Sequence, residues 1–151
     1  MSQVKLDIRK LPHARDIPLP SYATTLSVGL DLCAAIHPPI ILKPGEKCLI
    51  PTGVAVFLPE NLEGQVRPRS GLAARHGITI LNSPGTNDPD YIGEIKVCLI
   101  NLGHENYEIN RGDRIAQLVI APITRIYFNQ VEKFKTEETG RNEQGFGSTG
   151  K

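Results

Sequence analysis

Glu94-Ile95-Lys96-Val97-Cys98-Leu99-Ile100-Asn101 is the stretch that decides the fold. Ile95, Val97 and Leu99 fall on alternate positions, so they share one side of an extended chain. The same logic extends outward. Residues 78–81 form a short apolar run, and residues 114–122 and 124–131 form two more after the charged turn Arg111-Gly112-Asp113-Arg114. Upstream, residues 47–58 hold two apolar runs broken by Pro51-Thr52-Gly53, and Ile40-Ile41-Leu42 ends at the turn Lys43-Pro44-Gly45-Glu46. Residues 26–35 are apolar but interrupted by Gly29 and Asp31, and Val4, Leu6 and Ile8 alternate with charges as a first strand. Residues 70–76 are the one helical turn, with Ser70 placed to cap it. Short strands separated by turn residues predict an all-β sandwich, jelly roll or barrel.

Composition agrees and sets limits. The chain has 151 residues, 12 Pro, 14 Gly and no Trp, enough length for one cored domain. A net charge of +1 offers no broad basic field for long nucleic acid. No apolar run approaches a membrane span, and Met1-Ser2-Gln3-Val4-Lys5 lacks a signal-peptide core. The expected location is therefore cytoplasmic (nuclear or organellar in a eukaryote) and not secreted. Cys33, Cys48 and Cys98 are far apart, odd in number and set in apolar runs, so they are expected as buried free thiols. His13, His37, His76 and His104 are scattered, as surface or loop histidines would be, and no CxxC or HExxH pair exists to cage zinc.

Chemistry gathers at a few places. The terminal stretch Arg141-Asn142-Glu143-Gln144-Gly145-Phe146-Gly147-Ser148-Thr149-Gly150 has little apolar content and reads as a flexible tail. It still holds the parts of a nucleotide clamp: Arg141 for phosphate, Phe146 for a base, Ser148 and Thr149 as hydroxyl donors. A lid that orders over bound nucleotide suits it, and so does a frayed end. Residues 86–94 lie between two strands like a hairpin loop, with Asp88 as a possible general base for water and Tyr91 between two acids and a glycine. Turn preference alone would also explain Asp88, Pro89 and Gly93.

Pro68-Arg69-Ser70-Gly71-Leu72 brings a guanidinium, a hydroxyl and a glycine amide to a helix start, where anions bind and where an ordinary serine cap also sits. Arg111-Gly112-Asp113-Arg114 is a charged turn into an apolar strand, and an intramolecular ion pair explains it cheaply. Gln117 interrupts an apolar strand, as either a solvent-facing residue or an aimed amide. Asp31 does the same between Leu30 and Leu32 and is placed to serve a hydrated Mg²⁺ or simply to face solvent.

Together and in order these pieces resemble the homotrimeric dUTP diphosphatases, or dUTPases, across nearly the whole chain. The family's five motifs read here as Val28-Gly29-Leu30-Asp31-Leu32, Pro68-Arg69-Ser70-Gly71-Leu72, Asn82-Ser83-Pro84-Gly85-Thr86-Asn87-Asp88-Pro89-Asp90-Tyr91-Ile92-Gly93-Glu94, Arg111-Gly112-Asp113-Arg114-Ile115-Ala116-Gln117-Leu118 and the terminal segment. The resemblance implies a distorted jelly roll, or β-clip, over residues 1–134, and an arm over 135–151 that closes the active site of a neighbouring subunit. It implies hydrolysis of dUTP to dUMP and diphosphate.

By position it implies roles as well. Asp88 would hold and deprotonate the attacking water, and Asp31 would bind waters of a Mg²⁺ that gathers the phosphates. Arg69, Ser70 and Gly71 would cradle the phosphate chain, and Gln117 would position the α-phosphate and the water. Asn82 and the loop through Gly85, Thr86 and Asn87 would read uracil, and Tyr91 would exclude a ribose 2′-OH. Lys96 would touch substrate. Arg141, Ser148 and Thr149 would take the γ-phosphate, with Phe146 and Gly147 over the uracil. The sites would be shared among three subunits.

Two departures stand out. Asn87 replaces the family's usual aliphatic residue before the catalytic Asp, and Asn142 and Gln144 replace tail glycines, which predicts a stiffer lid. The competing readings are a dCTP deaminase-like relative, which would use an arginine such as Arg75, and a trimeric binding module that has lost turnover.

Overall fold

The computed structural model describes residues 4–135. Within them the chain forms eleven strands, one 3-10 turn and one helix. The strands are β1 (Asp7–Lys10), β2 (Leu30–Cys33), β3 (Ile40–Leu42), β4 (Lys47–Pro51), β5 (Val54–Phe57), β6 (Leu62–Arg67), β7 (Ile78–Ile80), β8 (Gly85–Asn87), β9 (Lys96–Asn101), β10 (Tyr107–Ile109) and β11 (Arg114–Pro122). The 3-10 turn is Pro12–Ala14 and the helix α1 is Ser70–His76. Every pairing is antiparallel. The largest sheet runs β2-β11-β6-β8, a second runs β4-β9-β7, and β1-β5 and β3-β10 are two-stranded. The result is a jelly-roll-like all-β domain, as the strand spacing predicted.

The deciding stretch behaves as its alternation requires. Ile95, Val97 and Leu99 are buried, and β9 sits between β4 and β7. Their side chains join Ile50, Val56, Ile78, Ile115 and Leu118 in one core between the sheets. Burial of this apolar surface is the main stabilising term, roughly 25 cal/mol per Å² removed from water. In β11 the register shifts between Arg114 and Ala116, and this bulge lets Ile115 and Ala116 both turn inward.

Several expectations need correction. Residues 124–131 are not a strand. Pro122 ends β11, Ile123 makes a last bond to the Asn61 carbonyl, and Ile126, Tyr127 and Phe128 are exposed and pair with no strand among the described residues. Residues 86–94 are not a hairpin loop, because β8 pairs with β6 while β9 pairs with β4 and β7; the segment crosses between two sheets. The first strand begins at Asp7 rather than Val4, and only Leu30–Cys33 of the 26–35 run is strand. Ser70 does not cap α1: it is the first helical residue, Arg69 holds the cap position, and no side-chain cap bond forms. The three cysteines are free, as expected, but half-buried rather than buried.

Candidate active site

Three of the sequence segments converge on one end of the large sheet. Asp31 on β2 stands opposite Gln117 on β11, which stands opposite Arg67 on β6. The Asp31 carboxylate is met by Arg69 Nε at 3.1 Å and Arg114 Nη1 at 3.4 Å, and its side chain is 17% exposed. Arg69 also donates to the Arg114 carbonyl, which ties the start of α1 to β11. Asp31 therefore faces neither core nor open solvent; it is a half-buried anion held between two cations.

Gln117 is an aimed amide. Its Nε2 donates to the Pro68 carbonyl at 3.0 Å. Gly29 explains how it can lie there: a Cβ on Gly29 would fall 2.0 Å from Gln117 Oε1. Gly29, Asp31, Arg69 and Gln117, with Ser70 and Gly71, line a cleft of about 370 Å³. Ser70 and Gly71 open α1, where the first backbone N–H groups of a helix have no acceptor within it.

The long third segment builds a separate cleft of about 460 Å³, lined by Asn82, Gly85, Thr86, Asn87, Asp88, Tyr91, Glu94 and Lys96. The strand β8 sets the alternation: Gly85 and Asn87 turn inward, while Thr86 and Asp88 are exposed. A Cβ on Gly85 would lie 3.3 Å from Asn82 Nδ2, so glycine leaves room for that amide. Tyr91 lies across Gly93, whose Cβ would sit 2.7 Å from the phenol carbon and oxygen, and its hydroxyl donates to the Glu94 carbonyl at 2.8 Å. The two clefts share no lining residue: Asp31, Arg69, Ser70, Gly71 and Gln117 line one, and Asp88 and Tyr91 line the other. Arg141, Phe146, Gly147, Ser148 and Thr149 lie outside the described residues.

Comparison with known proteins agrees. The family model described as dUTPase matches residues 15–150. The chain belongs to the dUTPase family. The deoxyuridine 5′-triphosphate nucleotidohydrolase of Wolbachia pipientis from Culex pipiens is 58% identical over 149 residues, 99% of this chain and 97% of that one. The enzyme of the same name from Aquifex aeolicus is 63% identical over 126 residues, 83% of this chain and 84% of that one. The dUTPase of Staphylococcus bacteriophage 80alpha with dUpNHpp superposes with a TM-score of 0.86 at 29% identity, covering 98% of this chain and 99% of that one. A mutant dUTPase from phage phi11 of S. aureus, described for its coordination of a structural Mg(II) ion, gives 0.79 at 28% identity over 88% of this chain and 100% of that one. This dUTPase is thus an enzyme, a dUTP diphosphatase.

Some features of the site had no clear signal in the sequence. The charged turn does make an intramolecular ion pair, but with a distant partner: Arg111 grips Asp16 through Nη2 at 2.6 Å and Nε at 3.0 Å, and it also donates to the His13 carbonyl. Asp113 instead accepts from the Asn110 N–H. The Arg111 guanidinium lowers the Asp16 pKa to about 2. Burial, followed by the nearby Asp31 charge, pushes the Cys33 thiol up. His13 is an exposed turn histidine, as expected, and it also bonds Glu94. Among the described residues, no group of three His, Cys, Asp or Glu is arranged to hold a metal ion, and no helix is long and apolar enough to cross a membrane. Arg75, the residue a deaminase-like reading would need, donates to the Gly71 carbonyl one helical turn back.

Proposed function

We propose that this dUTPase cleaves dUTP to dUMP and diphosphate by attack of water on the α-phosphorus. The observation that carries this reading is the split of polar groups into two clefts of different character. One holds the cations and the helix start, as a triphosphate requires; the other holds Asn82, Tyr91 and an exposed carboxylate, as a nucleoside and its attacking water require. Asp88 takes a proton from water as its oxygen bonds to the α-phosphorus. The bond from that phosphorus to the α–β bridging oxygen breaks, and diphosphate leaves. Arg69, Ser70, Gly71 and the Gln117 amide hold the phosphates in line, which supplies most of the catalysis in phosphoryl transfer.

Tyr91 occupies the space of a ribose 2′-OH, while Asn82 and the backbone of residues 85–87 read the uracil edge. Lys96, exposed on the same cleft, lies within reach of the substrate. Arg141, Phe146, Gly147, Ser148 and Thr149 serve the γ-phosphate and the base from the 135–151 arm. Mg²⁺ fits this site in one way only. A single carboxylate flanked by two guanidiniums is too few donors for a protein-held ion, but it suits hydrated Mg²⁺ carried on the substrate phosphates. Bound there, the ion would neutralise phosphate charge, with Asp31 orienting its waters.

Because the two clefts of one chain are separate, the reading includes a homotrimer whose sites pair the Asp88 cleft of one subunit with the Arg69 cleft of another. Two assays test it. Diphosphate release is measured from dUTP, UTP, dCTP and dTTP; dUTP alone is turned over, and Asp88→Asn slows it by about 10²–10⁴-fold. Inactive Asp88→Asn and Arg69→Ala chains are then unfolded and refolded together. Recovered activity supports shared sites, and none refutes them.

A further inference from the structure

His13 lies outside all five sequence segments that resemble the family motifs, yet its side chain bonds directly to the third. Its Nε2–H donates to Glu94 Oε1 at 2.8 Å. The same oxygen accepts the Gly53 N–H at 2.8 Å, and the Glu94 side chain is only 13% exposed. The Glu94 carbonyl in turn accepts the Tyr91 hydroxyl. The tyrosine ring has no freedom on its inner side, because it already lies against Gly93. Its posture in the nucleoside cleft is therefore set by where residues 93–94 stand, and Glu94 stands where His13 and Gly53 hold it.

The turn that carries His13 is itself anchored. Ala14 is buried, with its Cβ where a Gly53 side chain would begin. Lys10 donates to the Ile17 carbonyl, and Arg111 donates to the His13 carbonyl and grips Asp16. Arg111 belongs to the fourth segment, so the Pro12–Ala14 turn is a strut between the fourth segment and the third. On the far side, Ile95 is fixed independently: its N–H donates to the Val54 carbonyl and its carbonyl accepts the Thr52 hydroxyl. Losing His13 therefore loosens Glu94, which then keeps only its Gly53 bond, without unravelling β9.

We propose that His13 is a positioning residue for sugar selection: through Glu94 it holds Tyr91 where a ribose 2′-hydroxyl would collide. The proposal rests on the assignment of Tyr91 above, and the test separates the two. kcat and KM are measured for dUTP and UTP with Mg²⁺ on the full-length wild type, Tyr91→Ala, His13→Ala and His13→Gln. Glutamine keeps an N–H at nearly the position of Nε2. In His13→Ala the preference for dUTP over UTP in kcat/KM should fall about fivefold, the scale of one lost hydrogen bond of ordinary strength. Its kcat for dUTP should stay within about twofold, because the phosphate cleft is untouched. His13→Gln should restore the preference.

An unchanged preference in His13→Ala, with the preference lost in Tyr91→Ala, overturns the role of His13 and leaves Tyr91 standing. An unchanged preference in Tyr91→Ala overturns both. An equal fall in His13→Ala and His13→Gln also overturns the proposal, since the donor would then not be what matters. Thermal melts accompany each variant. If His13→Ala does not fold, His13→Leu, which fills the space without a donor, takes its place.

Discussion

Replacing Asn87 by leucine should stabilise this dUTPase. Asn87 is 5% exposed, and among the described residues its Nδ2 is the one buried side-chain nitrogen or oxygen without a hydrogen-bond partner. It points inward from β8 opposite Gly64 of β6. The Asn87 Cβ and the terminal methyls of Leu118 and Leu58 lie 3.2, 3.2 and 3.6 Å from the point where a Gly64 side chain would begin. Apolar side chains thus crowd the Asn87 Cβ, and its amide nitrogen is buried without a partner. Leaving such a donor unsatisfied costs about 1–3 kcal/mol, and an apolar group of the same shape removes that cost. Leucine keeps the branched Cγ skeleton of asparagine, so what must be accommodated is the added bulk of its two methyls.

The expected gain of about 1–3 kcal/mol corresponds to about 2–4 °C in Tm per kcal/mol for a chain of this size. Urea unfolding followed by circular dichroism, at one fixed protein concentration because assembly shifts apparent stability, reads it directly. The midpoint should rise with the slope unchanged. A midpoint that stays level or falls would refute the reasoning, because it would mean that the Asn87 amide already has a partner in the native protein. Turnover should survive the change, since Asp88 and Thr86 face the opposite way.

Other consequences are as direct. Gly29→Ala puts a Cβ onto Gln117 Oε1; the amide must leave Pro68, so kcat should fall about tenfold, while Tm changes little because the displaced group is a flexible side-chain end. Gly53→Ala meets both a positive φ of 71° and the Ala14 Cβ at 1.9 Å, so calorimetry should show a loss of about 2 kcal/mol or more. Asp16 has a folded pKa lowered from 3.8 to about 2, so its contribution to stability is present above about pH 4 and is lost as pH falls toward 2. Asp16→Asn should therefore flatten the acid limb of a stability–pH curve in that window and nowhere else. Cys33, with its thiol pKa raised, should react with iodoacetamide at pH 7.5 more slowly than a free cysteine, as mass spectrometry of the labelled peptide would show.

The local patterns that depend only on neighbours in sequence were legible. Alternation along 94–101 reports which side of a strand is buried, because successive side chains point to opposite faces whatever the strand pairs with. The turn at Lys43-Pro44-Gly45-Glu46 was legible for the same reason: Gly45 takes a φ of 80°, which glycine adopts freely. The order of the polar segments was enough to recognise the family, because motif order is itself a property of the sequence.

Tertiary structure alone decided what lies next to what across long separations. Whether 86–94 closes a hairpin or crosses between sheets depends on the partners of β8 and β9, and those lie about twenty to fifty residues away in the pairing register. Arg111 choosing Asp16 over Asp113, and His13 reaching Glu94, are contacts between segments 95 and 81 positions apart, with no local pattern to announce them. The separation of Asp31 and Arg69 from Asp88 into two clefts is of the same kind. A sequence shows which residue types are present and in what order; distance in space comes from how the strands pair, and strand pairing is settled by burial across the whole core.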